Sequence, residues 1–281
     1  NNTAVGQSAL YSNTASSNTA CGSSALYANT SGASNTAVGK SALAACTTGV
    51  ENTACGDDAL TAVTTGGSSD AFGRHALLNQ TTGTHNCAIG CDSLAGTTTG
   101  IRNVSLGKSA GSSITTGSYN TTVGAYANGT TITGSYNTSI GYNAEPNGGA
   151  SASGNFTLGD SNVSDLRCND TSISSLSDRR DKTEIIDCPL GLEFVNTLKP
   201  RKFKWQTRDG NVKDGKYRTG FIAQELQEAQ KDCNYMDLVL EGNPDRLEAK
   251  QEHLIPVLVK AIQDLSVENT ALKARLDAAG I

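Results

Sequence analysis

Ser177 and Lys182 are side chains whose types could together do covalent chemistry. A serine hydroxyl is a poor nucleophile until a base removes its proton. A lysine is such a base only when neutral, which requires a fall in its pKa from about 10.4 toward about 7 to 8. Burial or a nearby positive charge, from Arg179 or Arg180, would produce that fall. On residue types alone, however, serine and lysine five apart in a charged segment are more typical of solvated surface.

The spacing of the pair also sets a structural condition. Positions five residues apart lie on different faces of a helix and of a strand. A bend, or a lysine from a neighbouring chain, must therefore bring the two side chains together.

The composition changes at the same point in the chain. The 176 residues before Ser177 contain 14 charged side chains and are rich in Asn, Thr, Ser, Gly and Ala, whereas the 105 residues from Ser177 onward contain 35. The length of 281 residues allows about two domains. We therefore predict a repeat domain at 1–160, a connector at 161–176 and a second domain at 177–281.

The first domain is built from a short repeat. Ten copies of a motif of the type Asn-Thr-Ala-Val-Gly begin at residues 2, 18, 35, 52, 69, 86, 103, 120, 137 and 155, so the period is 17 residues apart from a first step of 16 and a last step of 18. This pattern predicts a mainly β fibre, a β-solenoid or β-roll in which each copy is one coil. Asn amides should hydrogen-bond between coils, and the Gly should supply a bend. We expect small apolar residues inside, and side-by-side packing of several chains because one narrow coil buries little surface.

The eight cysteines include no Cys-x-x-Cys pair and no Cys/His group at zinc spacing, so the sequence predicts no metal site and no cofactor. Cys21 and Cys55 occupy the repeat position that is Val, Ile, Leu or Phe in other copies, and we expect them to be buried thiols in a protein assembled in a reducing cytoplasm. A net charge of −5 argues against nucleic acid as a partner. No apolar run approaches the length that membrane insertion requires.

The second domain is predicted to be a small α+β unit ending in a helix over 254–279. Apolar residues recur there in steps of three and four, typical of a coiled coil. The alternative is an amphipathic helix packed against its own domain. Asn269 at a heptad a position is usually associated with two strands. The positions concerned are Ile255, Leu258, Ile262, Leu265, Asn269, Leu272, Leu276 and Ala279.

Four motifs of the second domain occur in the order and approximate spacing of a known family. They are Ser177-Asp178-Arg179-Arg180-Asp181-Lys182, Leu198-Lys199-Pro200, Thr219-Gly220-Phe221-Ile222-Ala223-Gln224-Glu225-Leu226, and the run from Leu254 to Leu265. Together they resemble the self-cleaving intramolecular chaperone domain at the C-terminus of phage tail fibres, tailspikes and endosialidases. The repeats resemble those in the head of trimeric autotransporter adhesins and in viral fibre proteins.

The resemblance implies a homotrimer whose C-terminal domain drives trimerisation and then removes itself. It implies a cut between Leu176 and Ser177, with Ser177 as nucleophile and Lys182 as base, and with Asp178 and Arg180 as supporting residues of the motif. Such a domain is a single-turnover serine endopeptidase. The trimer rests on this resemblance, since the heptad pattern alone favours two strands.

Two functions follow as alternatives. In the first, the chain is a viral fibre or appendage, assembled in the host cytoplasm and carried on the virion, whose repeats contact an unidentified host receptor or glycan. In the second, it is an uncleaved trimeric adhesin or structural spacer at a cell surface, with a permanent oligomerisation cap. No nucleotide-binding loop and no catalytic His with a Cys or Ser motif indicates a conventional enzyme.

Overall fold

The computed structural model describes residues 1–163, 165–169, 177–206, 212–241 and 247–280. For residues 212–214 it describes the backbone alone. The chain divides into two compact units, Asn1–Cys168 and Asn169–Ile281. This division falls inside the predicted connector. The finer domain limits at 160 and 177 stay a prediction.

The repeats of the first unit form a β-solenoid. Each copy contributes one three-residue strand, and the ten strands form a single parallel sheet in sequence order. Neighbouring strands pair in register, so that Ala20 lies beside Ala4 and Ala37 beside Ala20. The predicted mainly β solenoid is therefore confirmed. The strands, β1 to β10, are Thr3–Val5, Thr19–Cys21, Thr36–Val38, Thr53–Cys55, Asp70–Phe72, Cys87–Ile89, Val104–Leu106, Thr121–Val123, Thr138–Ile140 and Phe156–Leu158.

The interior of the solenoid is lined by the middle residue of most strands and by a leucine from the turn that follows. Ala37 and Leu43, from one coil, are both fully buried. The prediction that Cys21 and Cys55 are buried is wrong, because both are exposed. In a strand of three residues, alternation turns the middle side chain inward and both its neighbours outward. The large apolar residue before each Gly therefore faces away from the core.

The asparagine ladder and the glycine bend are both confirmed. The Asn120 side chain donates to Asn103 Oδ1 at 3.0 Å and to the Gly134 carbonyl at 3.0 Å. Gly22 has a φ of 149°, and a Cβ on it would lie 2.2 Å from the Gly39 carbonyl oxygen of the next coil. Both features repeat because equivalent residues of successive coils lie beside one another, so each Asn and each Gly meets the same neighbour in the next coil.

The second unit is an α+β assembly around a small apolar core. Its strands pair antiparallel, β11 with β12 and β13 with β14. The core contains Phe194, Leu226, Leu238, Leu254 and Val257. The elements are α1 (Leu192–Val195), β11 (Arg201–Gln206), β12 (Val212–Gly220), α2 (Ala223–Ala229), β13 (Val239–Leu240), β14 (Glu248–Ala249) and α3 (Ile255–Ala279), with 3₁₀ turns at Arg179–Asp181, Asn234–Met236 and Gln251–Leu254.

One face of the long helix α3 packs against the rest of its own unit. Val257 and Ala261 are buried there, near its N-terminal end. The predicted heptad positions lie elsewhere, and Ile262 and Leu272 are exposed to 67% and 50%. Among the described residues, packing against the unit itself therefore does not cover the predicted seam, and the coiled coil stays a prediction.

Candidate active site

The segment that carries the predicted nucleophile and base is a capped 3₁₀ turn. Asp178 is extended and precedes the turn Arg179–Asp181, and its side chain accepts the Arg180 N–H at 2.9 Å. Aspartate is favoured at such a cap because its carboxylate satisfies an N–H that the turn leaves unpaired. The chain becomes extended again at Lys182, whose N–H donates to the Arg179 carbonyl at 3.2 Å. The turn reverses the chain between residues 177 and 182.

This reversal brings the two predicted catalytic side chains into contact. Lys182 Nζ lies 2.6 Å from Ser177 Oγ, within hydrogen-bonding distance. An ammonium donates to the hydroxyl oxygen at this distance, whereas a neutral amine accepts the hydroxyl proton. The bend that the spacing required is thus present within one chain.

Asp178 and Arg180 form an ion pair on the same turn. Arg180 Nη2 lies 2.6 Å from Asp178 Oδ2, and its Nε donates to Oδ1 at 3.1 Å. The Arg180 side chain, followed by its backbone N–H, lowers the pKa of the Asp178 carboxyl, and the same contact raises the pKa of Arg180. The carboxylate offsets the Arg180 charge. The ion pair therefore stabilises the turn, and the positive charge of Arg180 near Lys182 is balanced by Asp178.

All six residues from Ser177 to Lys182 are exposed in the single chain. Leu176, on the other side of the predicted scissile bond, lies outside the described residues. The described part of the site therefore brings the predicted nucleophile and the predicted base into contact, but it does not supply the burial that would favour a neutral lysine.

Two charged contacts elsewhere in this unit join distant segments. Arg201 Nε on β11 donates to Glu225 Oε2 on α2 at 2.9 Å, and Arg201 lowers the pKa of the Glu225 carboxyl. Asp264 on α3 accepts the N–H of Leu192, the first residue of α1, at 3.3 Å.

None of these residues was predicted to make such a contact, although Glu225 and Asp264 lie within the motifs that carry the resemblance. The pair Lys260 and Asp264 is four residues apart and could have been found as a helical ion pair. Arg201 and Glu225 are 24 residues apart, and no local signal connects them.

Within the ranges that the structure describes, no cluster of three or more His, Cys, Asp or Glu side chains is arranged to hold a metal ion. In the same ranges, no helix combines the length and the apolar character needed to span a bilayer.

Comparison with known families gives one match, over residues 177–235, to the family described as chaperone of endosialidase, which bears the name of a peptidase family. No curated protein and no solved structure matches the chain. The match begins at Ser177, the residue whose hydroxyl contacts Lys182. A β-solenoid of 17-residue coils precedes the matched segment. Residues 177–235 of this chain are similar to the chaperone of endosialidase family, as their motifs predicted.

Proposed function

We propose that the chain is a viral fibre or appendage protein whose C-terminal domain assembles the solenoid and then releases itself by cutting between Leu176 and Ser177. The family match supports a fibre-associated chaperone role. The observation that carries the finer proposal is the 2.6 Å contact between Ser177 and Lys182 at the residue where that match begins. In this proposal the solenoid is the shaft or host-contact surface of the fibre.

The first step is an acyl shift. Ser177 Oγ attacks the carbonyl carbon of Leu176 while neutral Lys182 takes the hydroxyl proton. The tetrahedral intermediate collapses with cleavage of the bond between that carbon and the Ser177 nitrogen. Lys182 returns the proton to the leaving nitrogen. The product is an ester between the Leu176 acyl group and Ser177 Oγ, with Ser177 now carrying a free amine.

The second step is hydrolysis of that ester. Water adds to the Leu176 carbonyl carbon, and the bond to Ser177 Oγ breaks. One proton of the water goes to Ser177 Oγ and the other to the free amine of Ser177. The products are a Leu176 carboxylate, a Ser177 hydroxyl and a Ser177 ammonium group. Because each chain reacts once, a rate of about 10⁻³ per second is enough, corresponding to a barrier of about 21 kcal/mol.

Assembly would complete the site. In one chain the pair is exposed, whereas the proposed first step needs a neutral lysine, a state that burial favours. We propose that a second copy covers this segment and that Arg179 supplies the neighbouring positive charge, so that cleavage follows association. This order would keep the chaperone attached until the chains have come together.

Cleavage is tested by expressing the full chain and separating the products on a denaturing gel. We expect a fragment ending at Leu176 and one of 105 residues whose N-terminal sequence begins at Ser177. A different N-terminus would contradict the assignment. A single uncut band from a folded, oligomeric chain would favour the uncleaved adhesin or spacer.

The chaperone role is tested by expressing residues 1–176 alone. We expect this fragment to misassemble, whereas the same fragment released from the full chain should sediment as a trimer. A folded, soluble monomer of residues 1–176 would show that the chaperone is unnecessary.

A further inference from the structure

The interior of the solenoid acquires a row of hydroxyl groups at its seventh coil. Coils are numbered here by their strands, so that coil 7 begins with β7. The middle residue of the strand is alanine in coils 1 to 6 and becomes Ser105, Thr122 and Ser139 in coils 7 to 9. All three side chains are buried. Ser105 pairs with Thr122 and Thr122 with Ser139, so the three form one row, which we call the hydroxyl ladder.

The opposite side of the interior changes at the same coils. Leucines recur there every 17 residues up to Leu94, but position 111 in coil 7 is Gly and position 128 in coil 8 is Asn. Asn128 keeps the backbone conformation of these leucines, with a φ of 50° against 49° for Leu94, and it is fully buried. A Cβ on Gly111 would lie 2.9 Å from Ser105 Oγ, so this side faces the hydroxyl ladder. A carboxamide therefore replaces a leucine side chain opposite the ladder.

The buried polar atoms of coils 7 to 9 make no hydrogen bond with the part of the chain that the structure describes. They are Ser105 Oγ, Thr122 Oγ1, Thr131 Oγ1, Ser139 Oγ, and both side-chain amide atoms of Asn128 and of Asn147. In coil 6, by contrast, the buried Thr97 hydroxyl donates to the Ile114 carbonyl at 3.1 Å. A buried donor or acceptor that stays unpaired is costly. Eight such atoms in three neighbouring coils therefore indicate a bound ligand that both donates and accepts hydrogen bonds.

Water fits the chemistry of these atoms and their spacing. Hydroxyl and carboxamide groups both donate and accept hydrogen bonds, and none of the eight atoms belongs to a carboxylate, which a hard divalent cation would favour. Adjacent strands lie about 4.8 Å apart, too far for one ladder hydroxyl to bond directly to the next. Two hydrogen bonds of about 2.8 Å that meet at one water and span about 4.8 Å make an angle of about 118°. This angle is close to the tetrahedral arrangement of hydrogen bonds around water.

We propose that coils 7 to 9 hold a file of ordered water molecules in the interior of the solenoid. One water lies between Ser105 and Thr122, and a second lies between Thr122 and Ser139. A buried water typically makes about three hydrogen bonds. The ladder supplies two to each water, and the Asn128 carboxamide supplies the third from the opposite side. The file is independent of the proposed cleavage, since every residue that lines it lies within the solenoid.

The direct test is a crystal structure of the full-length Ser177→Ala chain at a resolution that shows ordered water. We expect two density peaks along the ladder, each within hydrogen-bonding distance of two successive hydroxyls. Crystals soaked in thallium(I) or in bromide test for ions, because both scatter anomalously. An anomalous peak at either position would assign a monovalent cation or an anion and overturn the assignment to water. Ladder hydroxyls bonded directly to protein atoms, with no peak between them, would also overturn it.

A double-mutant cycle tests the shared water in solution. Thr122→Val and Ser139→Ala each remove one ladder hydroxyl, and urea unfolding of the Ser177→Ala chain is followed by far-UV circular dichroism at a fixed protein concentration. We expect the urea midpoint of the double variant to fall by less than the sum of the two single falls, because either substitution already removes a partner of the same water.

The matched control is the pair Ser105→Ala and Ser139→Ala. These residues belong to the same ladder but lie two coils apart and share no water, so their effects on the urea midpoint should add. Additive effects of Thr122→Val and Ser139→Ala would overturn the water file. Equal coupling in both pairs would also overturn it, since general repacking of the interior would then explain the result.

Discussion

Lys182 Nζ lies 2.6 Å from Ser177 Oγ, and a 3₁₀ turn capped by Asp178 makes this contact. The geometry is local, since every residue that builds the turn lies between positions 177 and 182. The bonds that form the turn are therefore made within the segment itself. The described residues of this site, 177 to 182, are exposed, so the proposed cleavage needs the cover that assembly would supply.

Lys182→Arg should abolish self-cleavage. A guanidinium stays protonated near neutral pH and cannot accept the serine proton. Ser177→Ala should give the same single band on a denaturing gel, and both variants should still associate. The matched control is Lys199→Arg, at an exposed lysine of the same unit, which should cleave like the parent. Cleavage of Ser177→Ala at the parent rate would rule out the proposed pair.

Asp178→Ala should slow cleavage without abolishing it. The substitution removes both the cap and the partner of Arg180, so the turn holds Lys182 less firmly against Ser177. We expect a loss of about fivefold in the rate of fragment appearance. Asp178→Asn keeps a capping oxygen and should restore most of the rate. If the Ala and Asn variants were equally slow, the negative charge rather than the cap would be the important feature.

The C-terminal unit should lose stability in acid. Arg201 lowers the pKa of Glu225 in the folded chain from its ordinary 4.5, so the unfolded chain binds more protons as the pH falls. The stabilisation is present above about pH 4.5 and is lost as the pH falls through the lowered folded pKa. Trp205 is the single tryptophan and lies on β11, so its fluorescence reports on this unit.

The measurement is a urea titration of the Ser177→Ala chain at pH 5 and pH 3. Glu225→Gln should lower the urea midpoint at pH 5 and reduce its further fall at pH 3. Glu268→Gln, on α3 and outside this ion pair, serves as the control and should keep the parental pH dependence. An unchanged pH dependence in Glu225→Gln would show that other groups cause the acid loss.

Asn103→Ala should destabilise the solenoid. The buried side chain donates to the Gly117 carbonyl at 2.9 Å and accepts from the Asn120 backbone and side chain at 3.0 Å each. Its removal leaves buried donors and an acceptor unpaired, at a cost of about 2 to 4 kcal/mol in the free energy of unfolding. Thr116→Ala, at an exposed site in the next turn, should cost less than about 0.5 kcal/mol. Denaturant unfolding followed by far-UV circular dichroism compares the two.

Ile262→Asp should weaken self-association and leave the fold of a single chain intact. Ile262 is 67% exposed at a heptad a position, whereas Val267 is 69% exposed on the same helix outside the seam. A coiled coil buries the first residue and not the second. Sedimentation of the Ser177→Ala chain should therefore show dissociation with Ile262→Asp and little change with Val267→Asp. Equal effects would place the contact outside the predicted seam.

Much of the architecture follows from the sequence by itself. The 17-residue period determines the solenoid, because identical spacing stacks identical residues and gives each Asn and Gly the same neighbour in the next coil. Short-range signals likewise placed the helix α3 close to its observed limits. These features depend on residues near one another in the chain or repeated along it.

The tertiary structure decided which apolar residues form the core. Ala20 and Cys21 are adjacent and both compatible with burial, and a three-residue strand is too short for its alternation to be assigned from sequence. Leu26 from the following turn and Ala20 are both fully buried in the interior, whereas Cys21 is exposed on the outer face. The direction of a side chain in a solenoid depends on where the coil closes on itself, and that closure exists only once the chain has folded.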